Sequence, residues 1–133
     1  GRVLVAFTND WDDVALAREA SFNLISQGAD VILPYLDAGW IGVVQAAEER
    51  GIHTVGILHE SDSNLVSARL DFARALAWAV GEYQEGNLER TDYVIHLTSP
   101  DQLGDFNDMV SEEVRAIALE AVERINSGEL SFE

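Results

Sequence analysis

Short apolar runs alternate with longer amphipathic segments through the first half of the chain. The runs VLVAFT (residues 3–8), VILPYL (31–36) and HTVGIL (53–58) each predict a buried strand. Apolar positions recur at helical spacing from about Asp12 to Gln27 and again up to about Arg50, and a glycine follows each helix. Strands without polar alternation are typical of a parallel sheet covered by helices on both faces. The pattern predicts an α/β fold, a three-layer sandwich with a mostly parallel sheet. Its inward-facing helical residues would be Val14, Ala17, Leu24, Ile25, Val43, Val44, Ala46 and Ala47.

The second half of the chain contains two longer helical patterns. One predicts a helix from about Asn64 to Glu85, and the other a helix between Ser111 as its N-cap and Gly128 after its end. The run YVIHL (residues 93–97) predicts a fourth strand, and a short extra strand is expected near Leu103. The last helix should pack on the sheet. No linker marks a boundary, so residues 1–133 are interpreted as one domain. On the helix at 64–85 the core side would be Ala73, Leu76, Ala77 and Val80.

The charge balance is strongly acidic. The chain has 24 acidic and 8 basic residues, a formal net charge of −16, and every basic residue is arginine. Such a surface repels phosphates, so nucleic acid and anionic membranes are disfavoured as partners. The acidity has two open explanations: it reflects the proteome of the organism, or it selects a cationic ligand.

Polar and aromatic residues collect in the loops that follow the predicted strands. In an open parallel sheet, ligands bind beyond the carboxyl ends of the strands. Tryptophan can stack on a ring, and a carboxylate can accept hydrogen bonds from hydroxyl groups. A further loop, near Ser99, follows the fourth predicted strand. The candidate ligand-binding residues are Asn9, Asp10, Trp11, Asp12, Asp37, Gly39, Trp40, His59 and Glu60.

Each candidate also has a purely structural alternative. Asp12 could serve only as a helix cap, Trp11 and Trp40 could pack over helix ends, and Asp37 could satisfy only its own turn. What favours ligand binding is their expected convergence on one rim of the sheet.

Motifs for catalysis are missing from the sequence. It has no glycine-rich phosphate loop with lysine, no G-x-G-x-x-G and no G-x-S-x-G. It also lacks cysteine, and its three histidines fall on separate elements, so no metal site and no cofactor are expected. A magnesium enzyme using Asp10, Asp12 and Asp13 stays open as a hypothesis. A phospho-receiver site would need a lysine, and the chain has none.

Four segments occur in an order that resembles a known family. They are TNDWDD, SQGADVIL, AGW followed after one residue by GVVQAAEERGIHTVGI, and GDFNDMVSEEVRAIALEAVERINSGEL. Together they span nearly the whole chain and resemble the basic-membrane-protein family of ABC-transporter substrate-binding lipoproteins. The resemblance implies a Rossmann-like lobe of a type I periplasmic-binding protein, mainly the C-terminal lobe.

The resemblance implies a non-catalytic function. The two-lobed protein would close on a nucleoside, purine or sugar-like ligand and deliver it to a membrane permease. It would be extracytoplasmic, periplasmic or lipid-anchored at the cell surface. The resemblance implies that an upstream lobe, with its lipidated cysteine, lies outside this sequence; a natural single-lobe protein is the alternative. The alternative is a ligand-sensing domain of a signalling or transcription-regulating protein.

Mapped onto this chain, the binding loops of the family fall on three segments, and two positions depart from the pattern. The segments are Asn9–Asp12, Ala38–Trp40 and Leu58–Ser61. The family's aspartate after V-G-V, an acceptor for ribose hydroxyls, falls on Leu58, and an expected lysine falls near Leu70. Both departures weaken the nucleoside prediction and leave the predicted architecture unchanged.

Overall fold

Four helices and three strands make up the regular structure of a computed structural model, which describes residues 1–57, 59–69, 72–89, 91 and 103–130. The strands form one parallel sheet in the order β1-β2-β3. This confirms the predicted α/β class and the parallel sheet. In chain order the elements are α1 (Val14–Ser26), β1 (Val31–Ile32), α2 (Trp40–Arg50), β2 (His53–Ile57), β3 (Asn64–Ala68), α3 (Phe72–Glu85) and α4 (Glu112–Asn126).

Local signals fix the ends of the first two helices. The Asp13 side chain caps α1 by accepting a hydrogen bond from the Leu16 backbone N–H at 2.9 Å. Gly28, just beyond the end of α1, has φ +95°, and Gly51 ends α2 in the left-handed conformation at φ +64°. Both glycine stops were predicted from the sequence and are confirmed.

The core lies where α1 and α2 pack against each other and against β1. Ala17, Ile32 and Val43 form its buried centre, with Ile25 and Leu36 packed around it. The helices approach closely at Gly42, which is buried in α2 beside the α1 backbone. The inward face predicted for α2 is confirmed, because Val43, Val44, Ala46 and Ala47 are all buried.

The strand predicted at residues 3–8 is not formed. Val3, Val5 and Phe7 are 87%, 69% and 85% exposed, and this stretch has no strand assignment. It runs beside residues 31–36, but an open cavity of about 620 Å³ separates its first part from β1. An apolar run gains a strand conformation only through ladder hydrogen bonds and a covering layer, and no described residue supplies either one.

The single helix predicted from Asn64 to Glu85 is wrong in its first part. Residues 64–68 are β3, paired in parallel with β2, and the helix starts only at Phe72. The reason is tertiary: β3 buries Asn64 and Ser67 against β2, a contact that the residues 64–68 alone do not reveal.

Helix α4 has the predicted bounds but not the predicted packing. Ser111 caps it by accepting from the Val114 backbone N–H at 3.3 Å. No side chain of α4 or α3 is buried among the described residues, so the expected packing of α4 on the sheet is wrong, as is the predicted core face of α3. In the part of the chain that the structure describes, no helix is long and apolar enough to cross a membrane.

The segment before α4 lies along the free side of β3. Leu103 pairs with Ala68 in a single antiparallel bridge, and the Gly104 backbone N–H donates to the Ser67 carbonyl at 2.7 Å. This is the location of the predicted short extra strand, which is present as a bridge. The fourth strand predicted at residues 93–97 and the loop near Ser99 lie outside the described residues.

Candidate functional site

The first two candidate loops are hydrogen-bonded to each other. The Asp12 carboxylate accepts the Ala38 backbone N–H at 3.2 Å, and the Gly39 N–H donates to the Trp11 carbonyl at 3.0 Å. A Cβ at Gly39 would lie 2.9 Å from that carbonyl oxygen, so the approach needs a residue without a side chain. Asp12 and Gly39 therefore hold the loops together, and neither lines the pocket described below.

Asp10 organises the turn that carries Trp11. The preceding residue, Asn9, has a left-handed φ of +56°, which asparagine tolerates well. The Asp10 carboxylate accepts the backbone N–H groups of Asp12 at 2.8 Å and Asp13 at 2.9 Å. These two hydrogen bonds stabilise the ionised form and lower the pKa of Asp10 from its ordinary value.

We expect this lowered pKa to make Asp10 contribute to stability in a pH-dependent way. Because the folded-state pKa is lower than the unfolded one, the stabilisation is fully present at neutral pH. It is lost as the pH falls below about 4, where the unfolded chain takes up the proton first. The melting temperature of Asp10→Asn should therefore lie below that of the wild type at pH 7, and the gap should narrow in acid.

Asp30→Asn is the matched control for Asp10. It removes the same charge from an exposed carboxylate on the opposite edge of the sheet. If the difference in melting temperature between the wild type and Asp10→Asn stays constant from pH 7 to about pH 3, the assigned role of Asp10 is contradicted.

The third loop brings His59 against Trp40. Their rings are stacked, with centroids 4.2 Å apart and planes 13° from parallel. His59 Nδ1 lies 2.7 Å from the Ile57 carbonyl oxygen, to which it can donate only when protonated at that nitrogen. In the neutral ring Nε2 is then an acceptor, and this buried atom has no partner among the described residues.

A buried polar network fixes the backbone of this loop. The His59 carbonyl accepts hydrogen bonds from Asn64 Nδ2 at 3.1 Å and Ser67 Oγ at 3.0 Å. The Thr54 hydroxyl donates to Asn64 Oδ1 at 2.5 Å and also lies 3.0 Å from Ser63 Oγ. All four side chains are buried, so each satisfied bond avoids a desolvation cost of about 1–3 kcal/mol. The network positions the His59 main chain, and through it the ring on Trp40.

The three loops border one open pocket at the carboxyl ends of β1 and β2. Its volume is about 560 Å³. The predicted residues Trp11, Asp37, Trp40 and His59 all line it, so the expected convergence on one rim is confirmed as geometry; their role in binding stays a prediction. The other lining residues are Tyr35, Leu36, Ala38, Ile57 and Phe72.

Three other candidates lie beside this pocket. Asn9 and Asp10 line a neighbouring cavity of about 540 Å³, which Trp11 also borders. The Glu60 carboxylate lies 3.2 Å from Ser67 Oγ, whose single proton is shared with the His59 carbonyl, and 3.6 Å from the Arg69 guanidinium. Glu60 thus anchors the loop to β3.

Part of the pocket wall and the whole buried network were not predicted from the sequence. Tyr35 belongs to a run interpreted as strand interior, and Phe72 to a helix whose start was placed too early. The Ser- and Asn-rich stretch Ser61–Asn64 beside a strand glycine, Gly56, was the available signal for the network.

The acidic cluster in the first loop is engaged by backbone amides. Asp10, Asp12 and Asp13 each accept at least one backbone N–H. Within the described ranges, no group of three His, Asp or Glu side chains is arranged to hold a metal ion.

The fold and the position of the pocket define the class of protein: an α/β lobe with an open pocket at the carboxyl edge of a parallel sheet. The family described as Bmp, ABC transporter substrate-binding protein PnrA-like, matches residues 2–74, more than half of the chain. The chain belongs to this family, which is described as one of substrate-binding proteins and not of enzymes. The predicted resemblance is confirmed.

A curated relative of this chain is a transcriptional regulator. The transcriptional activator protein Med of Bacillus subtilis (strain 168) is 25% identical, over 93% of this chain and 41% of that protein. A crystal structure of a transcriptional activator of the comK gene from Bacillus halodurans matches with a TM-score of 0.79 at 22% identity. That match covers 94% of this chain and 46% of the other.

Two solved solute-binding proteins of ABC transporter systems share the fold. The one from Conexibacter woesei DSM 14684 has a TM-score of 0.70 at 23% identity, covering 96% of this chain and 45% of its own. The one from Aeropyrum pernix K1 has a TM-score of 0.72 at 17% identity, covering 96% and 46%. At these identities the similarity establishes the fold alone. The chain spans less than half the length of each of these relatives.

Proposed function

We propose that this chain is one ligand-binding lobe of a two-lobed solute-binding protein, and that the pocket between its three loops holds part of a small polar ligand. The observation that carries the proposal is the convergence of Trp11, Trp40 and His59 around one pocket at the carboxyl edge of a parallel sheet. The partial coverage of its relatives supports a second lobe that supplies the opposite wall. Closure of the two lobes about a hinge would bury the ligand.

The proposed ligand is a ring-bearing solute such as a nucleoside, a purine or a sugar-like molecule. Trp11 is 54% exposed, so part of its indole is accessible for stacking. The family's aspartate for ribose hydroxyls is replaced by Leu58, whose structure lies outside the described residues. Asp37 is the carboxylate that would take over this hydrogen-bonding role within the pocket.

The proposed setting is transport from the extracytoplasmic side. In the full-length protein the ligand would be handed to a membrane permease, and a lipid anchor would hold the protein at the cell surface. Family membership supports this setting, because the family consists of substrate-binding proteins of ABC transporters.

A second candidate function is ligand sensing in a regulatory protein. Two relatives are described as transcriptional activators, and one of them matches with a TM-score of 0.79. The same pocket serves both functions, since each requires ligand-dependent closure. Coding regions beside the gene separate them: a permease and an ATPase favour transport, whereas a fused or adjacent signalling or DNA-binding segment favours sensing.

Titration calorimetry of the full-length protein tests ligand binding, which both functions require. We expect at least one member of a panel of nucleosides, free bases and small sugars to bind. Trp11→Leu should weaken that binding roughly tenfold through lost stacking. Trp78→Leu, in α3 and outside the pocket lining, is the matched control and should leave affinity unchanged. If no member of the panel binds, these classes of ligand are excluded.

A further inference from the structure

Three exposed aromatic side chains stand around the open part of the pocket. Trp11, Tyr35 and Phe72 are 54%, 70% and 57% exposed, although each lines the pocket. The rings of Trp11 and Tyr35 meet edge to face, with centroids 5.6 Å apart and planes at 73°. Two rings at nearly a right angle form adjacent walls of an open box, and Phe72 lines the same pocket. A planar ligand ring that stacks on one of these side chains contacts only that one aromatic face.

The formal charge among the described residues that line the pocket is negative. Asp37 lines the pocket, and its carboxylate makes no hydrogen bond or ion pair with any residue that the structure describes. None of the described lining residues is a lysine or an arginine. Arg69, on the neighbouring strand end, faces the Glu60 carboxylate at 3.6 Å. The formal net charge of −16 adds a long-range field that attracts cations and repels anions.

One face of Trp40 is covered, which limits what a ligand can use. His59 stacks on this face of Trp40 at 4.2 Å, and the aromatic lining residues that are exposed are Trp11, Tyr35 and Phe72. Aromatic faces carry negative electrostatic potential, and several faces around one point attract a cation more than a neutral ring. An alkylated ammonium group fits such a box because it is positively charged, apolar at its surface and weakly hydrated.

We propose that this pocket selects a ligand carrying an organic ammonium group, held by the Trp11–Tyr35–Phe72 box and charge-paired with Asp37. This inference rests on the proposed function and narrows its ligand class. The positive charge sits between the aromatic walls, and Asp37 balances it from the rim.

Choline and its neutral carbon isostere, in which tert-butyl replaces trimethylammonium, test the charge alone because their shapes match. Full-length protein is titrated with each, using calorimetry and the tryptophan emission of the protein. We expect choline to bind roughly tenfold more tightly than the isostere. Equal binding of the two, or no binding of choline, overturns the inference.

Substitutions test whether the preference for choline comes from the aromatic box and the Asp37 carboxylate. Asp37→Asn should weaken choline roughly fivefold and leave the neutral isostere unchanged. Trp11→Leu should weaken choline more than the isostere, with circular dichroism showing that the fold is retained. Asp30→Asn removes the same charge at the opposite edge of the sheet and should change choline binding less than Asp37→Asn does. Equal losses for the two aspartate variants would contradict a local ion pair.

The nucleoside and sugar panel is measured on the same preparation, so two failures are distinguishable. If adenosine or a sugar binds while choline does not, the cation inference falls and the solute-binding function stands. If neither choline nor any member of the panel binds, both the cation inference and the proposed solute-binding function are wrong.

Discussion

Replacing Gly42 with alanine is expected to lower the free energy of unfolding by at least about 3 kcal/mol. The new methyl group would overlap the Val14 carbonyl oxygen and lie 2.9 Å from the Arg18 backbone nitrogen. Both are backbone atoms of α1, so only a shift of the whole helix relieves the contact. Such a shift opens the core at Ala17 and Val43.

Chemical denaturation of the wild type and of Gly42→Ala measures this loss. Gly81→Ala is the matched control, since Gly81 is also within a helix but has no atom within 4 Å of its would-be Cβ. That control should stabilise the protein by about 0.5–1 kcal/mol through backbone entropy and helix propensity. Equal effects of the two substitutions would show that α1 and α2 are not in close contact at Gly42.

Gly56→Ala is the second large expected effect, and it acts on the pocket. A Cβ there would lie 2.5 Å from Asn64 Nδ2, the His59 carbonyl oxygen and Ser67 Oγ. These are three members of the buried network, so the methyl group forces the third loop away from β2. We expect a loss of about 2–3 kcal/mol in unfolding free energy.

The same substitution should disturb the stacking of His59 on Trp40. Nuclear magnetic resonance detects this, because the His59 ring protons lie in the ring current of Trp40. Ser67→Ala serves as a comparator: it removes one network hydroxyl without adding volume and should cost about 1 kcal/mol while the stack is retained. Unchanged His59 resonances in Gly56→Ala would contradict the proposed link between network and ring.

Part of the pocket lining could be predicted from the sequence. Trp11, Asp37, Trp40 and His59 could be placed on one rim because each follows a predicted strand, and parallel strands end on the same edge. Glu60 was assigned to the ligand site, but it binds Ser67 and Arg69 instead of lining the pocket. Its position after β2 was predictable, whereas its contacts with Ser67 in β3 and with Arg69 just beyond β3 were not, since this stretch was interpreted as helix.

The sequence by itself determined the features that arise from neighbouring residues. The Ser111 cap, the glycine stops at Gly28 and Gly51 and the helical periodicity of α4 depend on contacts within a few positions along the chain. The cap of α1 was expected at Asp12, but Asp13 makes it, because the Asp12 carboxylate binds the second loop instead.

Only the tertiary structure decided which apolar and polar surfaces have a partner. It left residues 3–8 outside the sheet, left α4 without a buried side chain, turned residues 64–68 into a strand and joined Tyr35 and Phe72 to the pocket. Each of these outcomes depends on contacts between distant parts of the chain. An apolar pattern indicates that a surface should be buried. Which segment of the chain buries it is decided by tertiary packing.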